Sequence, residues 1–235
     1  MEKVVYLLWR PEGVESDAFR DRLVDDLSQE LHRAGVCGLA ISVADSAVAA
    51  GDKLRIAGAE PHKDALVSFW LEQSQDVADC EGRIAAASAR IAGYLVVESR
   101  PIVNREQRAP LGERTPGFSL CTAIAKRGDL ERSRFIELWY DVHRAVAIET
   151  QSTFSYVRNE IVRPLTDGAP AWDAIVEEGF PIDALDEPEV FYDARGDLAR
   201  LQTHLDRMMA SCDAFIDRSR VSSHPMSQYT FEDLR

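Results

Sequence analysis

The sequence predicts an α+β chain made of two tandem ferredoxin-like repeats. Three observations carry that prediction. The first half reads strand, helix, strand, strand, helix, strand. The same order restarts after a proline-bearing joint. The two halves can also be laid on each other: at a shift of 116 positions Glu15 falls on Glu131 and Phe19 on Phe135, while Val5 and Leu8 meet Cys121 and Ile124. A ferredoxin-like unit is a four-stranded antiparallel sheet with two helices on one face, so its other face is bare. Two such units side by side in one chain can each hide the other's bare face. The expected division is residues 1–104 and residues 115–235.

Residues 3–10, KVVYLLWR, form an apolar, β-branched and aromatic run that stops at Pro11 and is read as a strand. Ser16 or Asp17 caps a helix to about Ala34, striped by Phe19, Leu23, Val24, Leu27 and Leu31 and ended by Gly35. Residues 36–43 give a second strand, residues 44–64 a loop without clear period, and residues 65–71, ALVSFWL, a third strand. A helix over residues 76–91 rests on Val77, Cys80, Ile84, Ala87 and Ile91, and residues 94–98 close the unit. Residues 100–116, with Pro101, Pro110 and Pro116, suit an exposed linker.

In the second half, residues 118–126, 153–162 and 173–178 are strands and residues 133–150 a helix. Residues 164–172 carry turn residues, and residues 180–196 form a loop or short helical insertion. Leu198, Leu201, Leu205, Met208, Met209, Cys212, Phe215 and Ile216 stripe a regular helix over residues 198–218, whose methionines read as core filler. The last strand is expected in residues 219–235, with an irregular turn at His224-Pro225.

Composition narrows the function classes. The chain has 235 residues, 46% hydrophobic and 29% charged, which is globular composition. A formal net charge of −13 repels phosphate backbones and anionic headgroups, so nucleic-acid and membrane partners are not expected. No apolar run reaches the roughly 18 residues of a membrane helix, and a signal-peptide pattern is not found, so the expected location is cytoplasmic. Cys37, Cys80, Cys121 and Cys212 are far apart, which fits buried thiols rather than a disulfide framework or thiolate metal site.

The most informative stretch is SRFIELWYDVHRAVAIETQSTFSYVRN, residues 133–159. At about 100° per residue, Phe135, Trp139, Val142, His143, Val146 and Ala147 share one helix face, with Arg134, Glu137, Asp141 and Arg144 opposite. His143 is thus aimed at a core or a cavity: either a structural histidine with a hydrogen-bonding partner, or an acid or base in a pocket wall. In the first half Leu23 and Leu27 stand at the places of Trp139 and His143, so that half reads as scaffold. His224 is the other histidine of interest, because the last strand can bring it to a barrel mouth; His32, His62 and His204 read as exposed. No HExxH, HxxxH or HxH spacing supports a metal, and neither GxGxxG nor GxSxG occurs.

The sequence FIELWYDVH followed by YVRN resembles the EthD family, whose pattern is an aromatic, Trp and His at four-residue steps on a helix and then Tyr-x-x-Asn on the next strand. The resemblance covers the first part of the second repeat and is only architectural in the first. It implies a dimeric α+β barrel, two ferredoxin-like sheets closed around a cavity, here formed inside one polypeptide that can associate further as a homodimer. It also implies the functions to weigh: dehydratases, decarboxylases, cofactor-free oxygenase-like proteins and haem-binding relatives.

Tyr156 and Asn159 are three apart, so a regular strand sends them to opposite faces. The leading expectation is a cofactor-independent enzyme for a small apolar, aromatic or polyketide-like molecule. In it His143 and Tyr156 are the catalytic pair, and Phe135, Trp139, Asn159 and His224 are substrate contacts. The rival expectations are a non-catalytic module that binds a hydrophobic ligand or dimerises, and haem binding through His143.

Overall fold

The computed structural model describes residues 1–58, 62–73 and 77–232. Among the described residues nine strands follow the alternation of apolar residues: β1 (Glu2–Trp9), β2 (Cys37–Val43), β3 (Ile56–Ala57), β4 (Ala65–Leu71), β5 (Arg90–Ile102), β6 (Phe118–Lys126), β7 (Ser155–Pro164), β8 (Ala174–Phe180) and β9 (Ile216–Thr230). Eight of them close a barrel in the order β2-β4-β1-β5-β7-β8-β6-β9, with β9 returning to β2 and every neighbour antiparallel. The two halves join edge to edge, through β5–β7 and β2–β9. Closure therefore removes the unpaired sheet edges as well as covering the bare faces. The short β3 pairs with β9 at Ser222 and Ser223, where β9 runs past β2.

Helices cover the outside: α1 (residues 16–33), α2 (Ala78–Ala87), α3 (residues 132–150), α4 (Pro188–Phe191) and α5 (Leu198–Asp213). Both α1 and α3 contain a π-helical stretch, Arg22–Leu27 and Leu138–His143, and these lie at the 116-residue shift read from the sequence. A π turn takes in extra residues and rotates the next turn relative to an ideal α-helix. Val142, placed on the buried face by the 100° rule, is accordingly 49% exposed, while His143 is buried.

Side chains alternate between two compartments. Val4, Tyr6 and Leu8 of β1 face the helices, and Val5, Leu7 and Trp9 face the barrel interior. The interior is not the void expected beside His143. Leu7, Trp9, Leu66, Tyr94, Ile161, Trp172, Ile175 and Met226 fill it, because the inward positions carry large apolar groups.

Other expectations are corrected. Residues 44–64 contain a 3₁₀ helix (Ser46–Leu54) and β3. Helix α2 ends at Ala87, so Ile91 belongs to β5; Asp76 lies outside the described residues. The linker is not a free spacer: Gly112 N and Thr115 N donate to Thr230 O and Gln228 O at 2.8 Å each, tying it across one end of the barrel. Helix α5 stops at Asp213, and Leu198 at its start is 72% exposed. His224 and Pro225 lie within β9 rather than in a turn. Among the described residues no helix is long and apolar enough to cross a membrane.

Candidate functional site

A cavity of about 650 Å³ lies outside the barrel, between the helix-facing side of the second-half sheet and the helices above it. Its floor is Leu120, Thr122 and Ile124 of β6, Tyr156 of β7, and Val176 and Glu178 of β8. Trp139 and His143 of α3 line one wall, Met208, Met209 and Cys212 of α5 the other, and Lys53, Leu54 and Ile56 reach in from the first half. The lining is mostly apolar with a few polar groups, the composition of a small-molecule site.

His143 is 8% exposed, its Nδ1 is 2.9 Å from Ser211 Oγ, and its ring lies 4.9 Å from that of Phe215. Burial, helped by the nearby Arg158 guanidinium, pushes its pKa down to about 4, so it is neutral at pH 7. The Tyr156 hydroxyl accepts a hydrogen bond from Trp139 Nε1 at 3.1 Å. Burial, with Glu178 nearby, raises its pKa, and the phenol stays protonated. Arg158 sits beneath α3, 3.7 Å from the Tyr140 ring, and donates from Nε to Ser99 Oγ at 3.0 Å.

Glu178 is the cavity residue that sequence reasoning missed. It stands opposite Tyr156 in the β7–β8 register and has no hydrogen bond among the described residues. Burial pushes its carboxyl up to about 7. A signal existed: Ala174, Val176 and Glu178 share the helix-facing side of a strand whose two faces are both covered, which leaves the Glu178 carboxyl half-buried against the apolar cavity.

The predicted residues are only partly brought together. Trp139, His143 and Tyr156 come together at the cavity. Phe135 lies deeper, 5.6 Å from the Trp139 ring and 5.7 Å from the Phe215 ring, and supports the wall without lining it. Asn159 is on the opposite face, as its odd spacing from Tyr156 requires. Inside the barrel its Oδ1 accepts from Lys3 Nζ at 2.9 Å and its Nδ2 donates to Glu177 Oε1 at 3.0 Å. His224 is 2% exposed in β9 and donates from Nδ1 to Lys63 O at 2.7 Å, outside the His143 cavity. His204, expected to be exposed, is buried against Tyr192 O at 2.6 Å, and His62 is half-buried, 5.4 Å from the His224 ring. Among the described residues no group of three or more potential metal ligands is present.

No family model and no curated protein matches the chain. Solved structures do. An anthrone oxidase-like protein superposes with a TM-score of 0.55 and 9% identity, covering 99% of this chain and 94% of its own. A putative monooxygenase from Fusobacterium nucleatum gives 0.49 at 8% identity, covering 98% and 92%. A dye-decolorizing peroxidase from Bacteroides thetaiotaomicron gives 0.49 at 10%, covering 98% and 93%. At these identities the likeness is one of fold: the chain has the dimeric α+β barrel architecture, closed within one polypeptide.

Proposed function

We propose that this chain is a small-molecule enzyme of the EthD-like type, catalysing proton transfer beside a carbonyl of an aromatic or polyketide-like compound, without a bound cofactor. One observation carries the reading: the Glu178 carboxyl lies unpaired on the floor of an apolar cavity, with a pKa of about 7. A base poised near the working pH is what general acid–base catalysis needs, and such catalysis contributes about 10²–10⁴-fold. The FIELWYDVH and YVRN segments support the EthD-like reading, and the anthrone oxidase-like neighbour is compatible with a polycyclic substrate.

In this mechanism Glu178 takes the proton from the carbon next to the carbonyl. The electron pair of the C–H bond moves onto the carbonyl oxygen as an enolate. The Tyr156 hydroxyl, oriented by Trp139, donates to that oxygen. His143, too weakly basic to be the base at neutral pH, serves as a second hydrogen-bonding group held by Ser211. Protonated Glu178 then passes its proton on. In a dehydration it goes to a β-hydroxyl, which leaves as water while the enolate pair forms C=C; in a decarboxylation no C–H proton is taken, the C–C bond pair released with carbon dioxide becomes the enolate, and a Glu178 that starts protonated delivers its proton to that carbon.

The test is deuterium incorporation. Cyclic aromatic ketones incubated with the protein in D₂O, followed by proton NMR, should lose the signal of the hydrogen next to the carbonyl. Glu178→Gln should reduce that rate about 10²–10⁴-fold, and His143→Ala should reduce it less, each with the fold retained. Ligand binding without exchange in the unaltered protein would leave a binding module instead.

A second reading, haem held by His143, is favoured by the engagement of Nδ1 with Ser211, which leaves Nε2 of a neutral imidazole as a candidate iron ligand. Bound there, haem would supply one-electron and oxygen chemistry. A Soret band on adding haem, lost in His143→Ala, distinguishes it.

A further inference from the structure

The end of the barrel crossed by the linker holds a second cavity, of about 370 Å³, on the opposite face of the sheet from the His143 pocket. Neighbouring residues of β8 serve the two spaces: Glu178 faces the apolar pocket and Glu177 the barrel end. We propose that this second cavity is a separate binding site, for a small molecule carrying a protonated amine.

The hydrogen-bonding groups around this cavity are unevenly satisfied. Lys3, 4% exposed, is bonded to Glu98 and to Asn159 Oδ1 at 2.9 Å, and lies 3.9 Å from Glu177 Oε1. The other oxygen of Glu98 accepts from Arg100 Nε at 2.5 Å. Those groups are satisfied. Glu177, also 4% exposed, uses Oε1 for Asn159 Nδ2, and its Oε2 has no partner among the described residues. The Ser68 hydroxyl, 3% exposed, lines the same cavity and has no hydrogen bond among them either.

The free carboxylate oxygen of Glu177 opens on the cavity, so its complement there is a donor, and preferably a charged one. A serine hydroxyl accepts from the same kind of group. Charge agrees: four carboxylates (Glu98, Glu113, Glu177, Glu232) line the cavity against three cations (Lys3, Arg100, Arg108), an excess of one negative charge. Half-buried Trp70 is part of the wall, and an aromatic ring is a residue type that can hold a cation. An alkylammonium fits these groups.

The experiment is calorimetric titration of the full chain at physiological salt with n-butylamine, and with n-butanol as its neutral twin. Saturable one-to-one binding of the amine is expected, at least tenfold weaker in Glu177→Gln and in the cavity-filling Ser68→Leu, and unchanged in Glu178→Gln. Thermal melts establish that each variant is folded, and Ser68→Leu keeps the test open if Glu177→Gln is not. No saturable amine binding, equal affinity in folded Glu177→Gln, or equal binding of n-butanol would each overturn the assignment.

Discussion

The two halves of the barrel carry the same scaffold and fill it differently. Register makes the comparison residue by residue, because Val4 pairs with Phe69 in the first half and Leu120, 116 positions later, pairs with Glu178 in the second. Tyr6 opposite Val67 corresponds in the same way to Thr122 opposite Val176. In the first half Tyr6 and Phe69 stack with ring centroids 6.1 Å apart, fully buried beneath Leu23 and Leu27, and the Tyr6 hydroxyl reaches Glu81 at 3.0 Å. In the second half Thr122 and Glu178 take the places of both rings. What remains is a cavity instead of a core, with a carboxyl and an imidazole on its surface. The pocket lies where the corresponding layer of the first half holds two aromatic side chains.

Refilling the hollow half should erase this contrast. The pair Thr122→Tyr and Glu178→Phe should close the cavity, abolish binding of any aromatic ligand as read by Trp139 fluorescence, and keep or raise Tm. Retained binding would show that the ligand sits elsewhere. The reverse change sharpens the contrast: Phe69→Ala in the filled half should cost about 3–5 kcal/mol in denaturant unfolding, the range for deleting a buried ring from a close-packed core. A loss below about 1 kcal/mol would mean that the first half is not a rigid scaffold.

Smaller in effect is the dependence of stability on pH. The folded pKa of Glu178, about 7, lies above its ordinary 4.5, so its protonated form favours the fold. That contribution is full below about 4.5 and is lost as the pH rises to about 7. His143 acts oppositely: its folded pKa of about 4 is below the ordinary 6.5, so its contribution is lost as the pH falls from about 6.5 to about 4. The two oppose each other over most of that range, so Glu178→Gln should leave the His143 contribution unopposed, and the variant's stability relative to the unaltered protein should rise between pH 4.5 and 7 in a series of thermal melts.

Much of the fold was legible because apolar alternation with a period of two marks strands directly; residues 65–71 form β4 as read, and the shared shift placed corresponding helices. The position of the cavity was not legible. Both faces of each strand are covered, so inward Ile175 and outward Val176 look alike in sequence, and only packing tells which layer is full. The π turn moved Val142 out to solvent, something no fixed angular step anticipates. His143, Trp139 and Tyr156 were found because their types are unusual on an apolar face. Glu178 was not, because a charge at a strand's end ordinarily lies in water.

The central claim is that the hollow half shelters a carboxyl that changes charge near neutrality. Carbon-13 NMR of the protein labelled at glutamate side-chain carboxyls, with the Glu178 signal identified by its loss in Glu178→Gln, measures this directly. A midpoint near 7 is expected for that one resonance. A midpoint near the ordinary 4.5 would place Glu178 in contact with water and contradict the claim.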